Sequence, residues 1–343
     1  MKNRVFVVIP VHNRLEYTKR CLASLENQTY KNFEVIIVDD GSMDGTSDYI
    51  KHKYPFWTVL KGDGNLWWTR SMYDGINYAL RYSKHGDFIL SLNNDCFGKN
   101  DYLNEIVRAA VNSNGSIVGS LVVDANNTKK IIESGVKINW RKSSIYAVAN
   151  NVVKLKSVTG LDGTIKEIDT LPGKGTLIPI EIIEKSGNFN YKKLPHYIGD
   201  YEFFCRAKKN GFNLIVSTKA KLFNFSKLTG TTHSNSHQTS YKEVYSILFG
   251  RKSKINIVDH INFLLLSCPK KYFWINFKQI LQKVLIYSLM VYPFYYIKVV
   301  IHIYHKFKYS IKLAKHDIPI ILRQNRYTGK FYRQVNRLVK KYF

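Results

Sequence analysis

The chain has 343 residues, enough for two domains or for one large domain with an appendage, and its 45% apolar and 22% charged residues exclude wholesale disorder. The four cysteines (Cys21, Cys96, Cys205, Cys268) form no CxxC pair, which excludes a zinc ribbon, argues against a disulfide scaffold and fits free thiols in a reducing compartment. Charge is out of balance, with 52 Lys and Arg against 25 Asp and Glu, so an anionic partner is expected.

Lys2 and Arg4 precede an apolar run, Val5 to Val11, but the run passes into His12-Asn13-Arg14 with no small-residue cleavage site. It reads as a buried strand rather than a secretory leader. Near-continuous Val/Ile/Phe runs predict strands over Arg4–Pro10, Phe33–Asp39, Trp57–Lys61 and Asp87–Asn93. Helices are predicted between them over Leu15–Glu26, Thr46–Lys53 and Thr69–Tyr82. Helix Asp101–Asn112 and strand Ser116–Val123 continue the alternation, which argues an α/β doubly wound domain. The pattern weakens from Asn139 to Thr170, a stretch read as irregular or β-rich. Order returns with Thr176–Lys185, with a helix over Asp200–Asn210 stopped by Gly211, and with a strand over Phe212–Ser217. The first domain closes near Ser226.

Residues 240–343 differ in kind. They read as a basic, aromatic-rich helical region, and residues 250–343 hold 19 Lys and Arg against only Asp259 and Asp317. Lys270-Lys271-Tyr272-Phe273-Trp274 opens a series of basic–aromatic segments that Lys278, Lys283, Lys298, Lys306, Lys308 and Lys312 continue. Basic stems over apolar surface with Tyr and Trp at the boundary suit helices lying on an anionic membrane surface. The longest uncharged apolar stretch, Val284 to Ile297, has 14 residues and contains Pro293. As a helix it spans about 21 Å against a hydrocarbon core of about 30 Å, so partial insertion is open and a simple span is not expected. A solvated helical cap is the competing reading. No RNP, KH or zinc-finger signature supports nucleic acid as the partner.

The polar residues collect where the predicted strands end, at the carboxyl edge where such sheets bind ligands. The ends read Pro10-Val11-His12-Asn13, Asp39-Asp40-Gly41-Ser42, Gly62-Asp63-Gly64-Asn65 and Asn93-Asn94-Asp95. Turn chemistry accounts for any one of them; together they describe one polar cleft. Neither GxGxxG nor GxxxxGK[ST] occurs, so a diphosphate here must be met by side chains and a metal. Asp95 offers a hard oxygen to Mg2+ or Mn2+. Of adjacent Trp67 and Trp68, one is expected in the core and one against a sugar ring. His196 and Tyr197 are candidate acceptor-pocket groups. Glu202 and Arg206, four apart on a helix, form either a structural ion pair or part of the diphosphate or acceptor site.

In order and spacing, VVIPVHNR, VIIVDDGSMDGT, GDGNLWW, LNND and GDYEFFCRAKKNG resemble glycosyltransferase family 2, the inverting enzymes of GT-A fold. The likeness covers residues 1–220 and is strongest to bacterial, rhamnosyltransferase-like members that build surface polysaccharides. It implies a GT-A doubly wound, mostly parallel sheet flanked by helices over residues 1–239, with a nucleotide-sugar half to about residue 125 and an acceptor half beyond. It implies that Asp40 and Asp63 approach the nucleotide base, with Pro10, His12 and Asn13 lining that pocket. Asn65, Asn93 and Asn94 fall on the donor side, and Asp95 binds the metal. Asp200 is implied as the base that deprotonates the acceptor hydroxyl, at the start of a helix whose dipole lowers a carboxyl pKa while burial opposes it. Relatives carry a further histidine ligand where Asn224 stands here, and His233 is the candidate substitute. Arg70, where a small residue often stands, adds a cation near the diphosphate or is solvated.

The implied enzyme moves a hexose or deoxyhexose from a nucleoside-diphosphate sugar to a glycan or polyprenyl-diphosphate-linked acceptor, in the cytoplasm at the inner face of the cell membrane. A nucleotidyltransferase and a non-catalytic membrane- or polymer-binding scaffold are the alternatives. The first lacks its glycine-rich loop, and the second is disfavoured by retention of both Asp95 and Asp200.

Overall fold

The computed structural model describes residues 3–225 and 241–289, with 302, 303 and 305. The chain divides into a compact unit, Met1–Val291, and a second, Tyr292–Phe343. His233 lies outside the described residues.

The first unit opens with β1 (Val5–Val11), α1 (Leu15–Glu26), β2 (Phe33–Asp39), α2 (Thr46–Lys53), β3 (Thr58–Lys61), α3 (Trp67–Leu80) and β4 (Phe88–Ser91). Then come β5 (Cys96–Gly98), α4 (Tyr102–Asn112), β6 (Ile117–Asp124), β7 (Ile131–Glu133), β8 (Val136–Asn139), β9 (Ser144–Ala147), α5 (Val152–Val158) and β10 (Thr164–Ile165). The rest is β11 (Thr176–Pro179), α6 (Ile180–Ser186), α7 (Gly199–Lys209), β12 (Leu214–Asn224), α8 (Tyr241–Phe249), α9 (Ile257–Ser267) and α10 (Phe273–Leu289). The fold is α/β, with a central, mostly parallel sheet flanked by helices.

The sheet runs β10-β12-β6-β11-β4-β1-β2-β3. β4, β1, β2 and β3 are mutually parallel, as are β6 and β12, and antiparallel β11 joins the two groups. Both faces of the parallel strands are covered, which is why their sequences are apolar throughout rather than alternating. Val5, Val7, Ile9, Val35 and Ile37 face a core with Leu22, Leu25 and Ile106, while Phe6, Val8, Ile36 and Val38 face Met72, Ile76, Phe203 and Phe204.

The structure adds detail to three expectations. Thr176–Lys185 is two elements, the chain turning from strand to helix at Pro179. The strand predicted over Phe212–Ser217 runs on to Asn224 through a bulge between Ser217 and Lys221. The stretch from Asn139 to Thr170 holds the rest of a two-stranded hairpin (β8–β9), the short α5 and β10.

α8 to α10 belong with the compact unit. Phe263 of α9 is buried against Leu194 and Cys205, with Trp140, Ile198 and Tyr201 around it. Asn262 donates to the Lys193 carbonyl at 2.8 Å, and Asn276 of α10 donates to the Trp140 carbonyl at 2.7 Å. Among the described residues no helix is long and apolar enough to cross a membrane.

Candidate active site

The polar residues singled out in the sequence gather at the carboxyl ends of the parallel strands β1, β2, β3 and β4. Asp40 follows β2, and its carboxylate gathers the next loop around itself: Oδ1 accepts from Gly64 N at 2.8 Å and Leu66 N at 3.1 Å, and Oδ2 from Trp67 N at 3.0 Å. These are charge-assisted bonds to the loop leading into α3 and to its first residue, where an anion is also favoured by the helix dipole. Oδ2 keeps a lone pair with which a base can be met. Gly41 packs so closely on Gly64 that a Cβ there would stand 2.9 Å from the Gly64 nitrogen, and its φ of +67° is one glycine accepts freely. Asp39 accepts from Ser42 N at 3.0 Å and from the Ser47 hydroxyl. His12 Nδ1 donates to the Asp40 carbonyl at 2.6 Å, and Asn13 joins the 42–43 loop through Ser42 Oγ and Met43 N. Pro10 is half-buried beneath them, and Asp63 and Asn65 stand exposed at the rim.

At the end of β4 the three expected donor-side groups part company. Asn94 is buried and donates to Thr18 Oγ1 at 3.0 Å, so it faces α1 rather than the cleft. Asn93 Oδ1 accepts from Trp68 Nε1 at 2.8 Å. Asp95, only 3% exposed, is loosely engaged, with Oδ2 at 3.9 Å from Arg14 Nη1 and Oδ1 at 3.5 Å from the Cys96 thiol. Asn224 holds Asp95 from behind through its backbone carbonyl at 3.2 Å. Among the described residues no group of three or more His, Cys, Asp or Glu could hold a metal by itself. One carboxylate completed by phosphate oxygens is an ordinary Mg2+ environment, and the loosely engaged Asp95 fits it.

Asp200 sits in the first turn of α7. Its Oδ2 accepts from Gly173 N at 2.8 Å and its Oδ1 from Tyr201 N at 2.9 Å. Burial raises its pKa despite those bonds and the nearby Lys174 cation, so burial outweighs the dipole. The segment Gly173-Lys174-Gly175 ties this carboxyl to the donor side, because Gly175 N donates to the Ser91 carbonyl of β4 at 2.8 Å. Two residues span about 7 Å at most, so the Asp200 anchor and the β4 anchor are close neighbours. Neither glycine leaves room for a side chain: a Cβ on Gly173 would lie 2.2 Å from the Trp68 ring, and one on Gly175 2.1 Å from Leu222.

Lys174, between the glycines, is half-buried. Burial works against its charge, but the acidic surroundings of Glu133, Asp95 and Asp200 win and raise its pKa. Glu133, at the end of β7, is pushed up to about 7 by burial, with Lys174 and Lys254 pulling it down and Asp200 pushing it further up. Neither Glu133 nor Lys174 was anticipated from sequence; the two glycines bracketing a lysine were the available signal.

The first turn of α3 faces both halves. Trp68 packs edge-on to Phe189 at 5.6 Å and is the tryptophan that joins the core. Trp67 meets His196 at 5.2 Å, and its buried Nε1 has no partner, nor does His196 Nδ1. Burial, together with the charges of Lys252 and Arg14, lowers His196 to about 4, so the ring is neutral at pH 7. Tyr197 lies against it at 4.3 Å. Two bulky residues lie in the left-handed region where helices begin, Trp67 at φ +61° as the first residue of α3 and Ile198 at +64° just before α7, as do Asn13 and Arg14 before α1. Strain of this kind, about 1–3 kcal/mol per residue, collects where geometry serves a site.

Glu202 and Arg206 are held elsewhere. Glu202 is 2% exposed and lies about 200° around α7 from Asp200. Arg206 Nε and Nη2 grip it at 2.8 and 3.1 Å, and the remaining N–H groups reach the carbonyls of Ser186, Gly187 and Asn188. With every guanidinium donor engaged, the pair anchors the loop after α6. Arg70 is likewise committed, to Asp74 at 2.8 Å and to the Tyr191 ring at 4.2 Å.

Residues 6–166 match the sequence profile of glycosyl transferase family 2. The chain carries a family 2 glycosyltransferase domain. Putative glycosyltransferase EpsH of Bacillus subtilis (strain 168) is 29% identical over 136 residues, 38% of each chain. Glycosyltransferase GlyA of Streptococcus pneumoniae serotype 4 is 41% identical over 49 residues, 14% of this chain and 7% of that one. The matched region thus spans under half the length of these relatives. Among solved structures, that of GalNAc-T7 with UDP, GalNAc and Mn2+ superposes with a TM-score of 0.52 at 13% identity, covering 82% of this chain and 57% of that one. The likeness is one of fold, and the fold is GT-A.

Proposed function

We propose that the chain is an inverting glycosyltransferase that moves a hexose or deoxyhexose from a nucleoside-diphosphate sugar to a glycan or polyprenyl-diphosphate-linked acceptor in surface-polysaccharide synthesis. The observation that supports the reading is the Gly173-Lys174-Gly175 link, whose two anchors join Asp200 to Ser91 of β4, four residues before Asp95, with Lys174 acting on both carboxyls. Asp40, His12 and Asn13 frame the nucleotide pocket. Asp95 would hold Mg2+ or Mn2+, which supplies charge neutralisation to the departing diphosphate. Arg14 and Lys174 add fixed positive charge beside it. Asp200 takes the acceptor hydroxyl proton as that oxygen attacks the anomeric carbon from the opposite face. Burial around Asp200 makes it a stronger base than an exposed aspartate once ionised. EpsH and GlyA, both glycosyltransferases by name, support the reaction class.

Nucleoside-diphosphate release, measured across a panel of UDP-, dTDP- and GDP-sugars with Mn2+, tests the proposal. A cognate donor should be hydrolysed slowly or transferred, and no turnover with any donor would count against it. Asp200→Asn should abolish turnover while leaving nucleotide binding intact.

We further propose that the basic region lies peripherally on the anionic inner face of the membrane. On α10, Ile275, Leu285 and Ile286 are exposed beside Lys271, Lys278 and Lys283. Replacing those three apolar residues with Glu in the full chain should reduce binding to phosphatidylglycerol vesicles; unchanged binding overturns the membrane assignment.

A further inference from the structure

The turn between α8 and α9 is built to hold a fixed shape. Asn256 caps α9, its Oδ1 accepting from Val258 N at 2.9 Å and Asp259 N at 3.2 Å, while its Nδ2 donates to the carbonyls of Phe249 and Gly250 at 3.0 and 3.1 Å. Ser253 is buried; its hydroxyl donates to the Ile247 carbonyl and accepts from Ile255 N. His260 Nε2 donates to the Lys254 carbonyl at 3.1 Å. The turn therefore spends its polar backbone inward and presents Arg251, Lys252 and Lys254 outward, all exposed. The carboxyls these cations act on, Glu133 by Lys254 and Asp259 by Arg251, are both raised to about 7 by burial, so three cations in four residues favour a further anion.

Their surroundings identify the side of the cleft. The Arg251 guanidinium stands 5.8 Å from the Trp67 ring centroid. Lys252 is near enough to His196, and Lys254 to Glu133, to influence their titration. Trp67 Nε1 and His196 Nδ1 lie there buried and without a protein partner. α9, which follows the turn, packs on the 193–198 segment that leads into Asp200. These contacts are on the Asp200 side, while Arg14 and Lys174 stand between the two sides: Arg14 lies near Asp95 and also acts on His196, and Lys174 acts on both Asp95 and Asp200.

We propose that Arg251, Lys252 and Lys254 form a phosphate-binding rim for the acceptor, so that the acceptor carries a diphosphate close to the sugar being extended. This rests on the transferase reading above and names the chemistry of its acceptor. The rim binds through charge-assisted N–H···O bonds, with the guanidinium offering a bidentate grip and the ammonium groups point charges.

The test uses the full chain and two probes, farnesyl diphosphate for the acceptor side and UDP or dTDP for the donor side, with binding followed by calorimetry. R251A/K252A/K254A should weaken farnesyl diphosphate by about tenfold or more, as loss of contacts to a charged group implies, and leave the nucleotide Kd unchanged. R251K should keep only part of the affinity, because the charge stays and the bidentate grip is lost. Equal weakening of both probes would reassign the rim to the donor diphosphate and overturn the proposal. So would nucleotide binding by the wild type with no affinity for farnesyl diphosphate, or farnesyl diphosphate binding unchanged in the triple variant. Failure of every nucleotide to bind would instead remove the transferase reading itself.

Discussion

The two walls of the cleft are made differently. On the donor wall, the carboxylates after β2 are satisfied by backbone N–H groups: Asp40 by three, and Asp39 by Ser42 N beside the Ser47 hydroxyl. On the acceptor wall, Asp200, Glu133 and His196 are all displaced from their ordinary titration by burial, and His196 and Trp67 keep unpaired buried nitrogens. The proposed donor wall is already satisfied by its own backbone. The proposed acceptor wall holds groups displaced by burial, which is how reactive sites are commonly prepared.

The sharpest test of that contrast is Asp200→Asn. Loss of the proposed general base should lower kcat by about a hundred- to ten-thousandfold. Nucleotide affinity, measured alongside, should not move, since the donor wall is untouched. An equal loss in both would dissolve the distinction.

Glu202→Ala comes next and should act on stability. Leaving Arg206 as an unpaired, partly buried cation should remove about 3–5 kcal/mol, read from urea unfolding. Turnover per folded molecule should be preserved; a selective loss of activity would return Glu202 to the acceptor site.

Glu133→Gln probes the charge coupling. A raised pKa means that Asp200 must lose its proton at a higher pH than an exposed aspartate, so kcat/KM should rise with pH along a displaced acid limb. Glu133, pushed up to about 7, is still protonated while Asp200 ionises, so Glu133→Gln should leave that limb in place and remove only an inflection near pH 7. A shift of the acid limb itself would mean that Glu133 is already charged when Asp200 titrates.

The smallest effect is expected at Asp259, beneath the basic turn. It is 3% exposed, its Oδ2 has no hydrogen-bond partner, and burial raises its pKa to about 7 while Arg251 draws it down. The folded state thus retains a proton that the unfolded chain gives up near its ordinary value of about 4. Its contribution is complete below that value and is lost as pH climbs toward 7. Asp259→Asn should therefore raise Tm at pH 8 and leave it nearly unchanged at pH 4, by thermal unfolding at both.

The donor wall was legible in the sequence because its determinants are local. An unbroken run such as Val35-Ile36-Ile37-Val38 followed by Asp39-Asp40-Gly41-Ser42 specifies a covered strand and the turn after it within eight residues. The acceptor wall resists such reading. Glu133, Lys174 and Arg251 acquire meaning only when β7, the segment before β11 and the turn before α9 meet, and nothing in their immediate neighbours specifies that meeting. Asp200 was found through motif likeness, while the insertion of β11 between β4 and β6, which brings Gly173 to it, was not foreseen. The pair Glu202–Arg206 shows the converse: spacing identified the contact correctly, but burial and three backbone carbonyls decided its purpose.

The seating of Phe263 against Leu194 and Ile198 bears on how the protein is made. A ribosome delivers β1 to β4 early, and they can pair as they emerge. The 193–198 segment before Asp200 has to wait until some sixty further residues, through α9, have left the exit tunnel before its apolar underside is covered. The setting of Asp200 is thus completed late in translation, after the strands around Asp40 have been delivered.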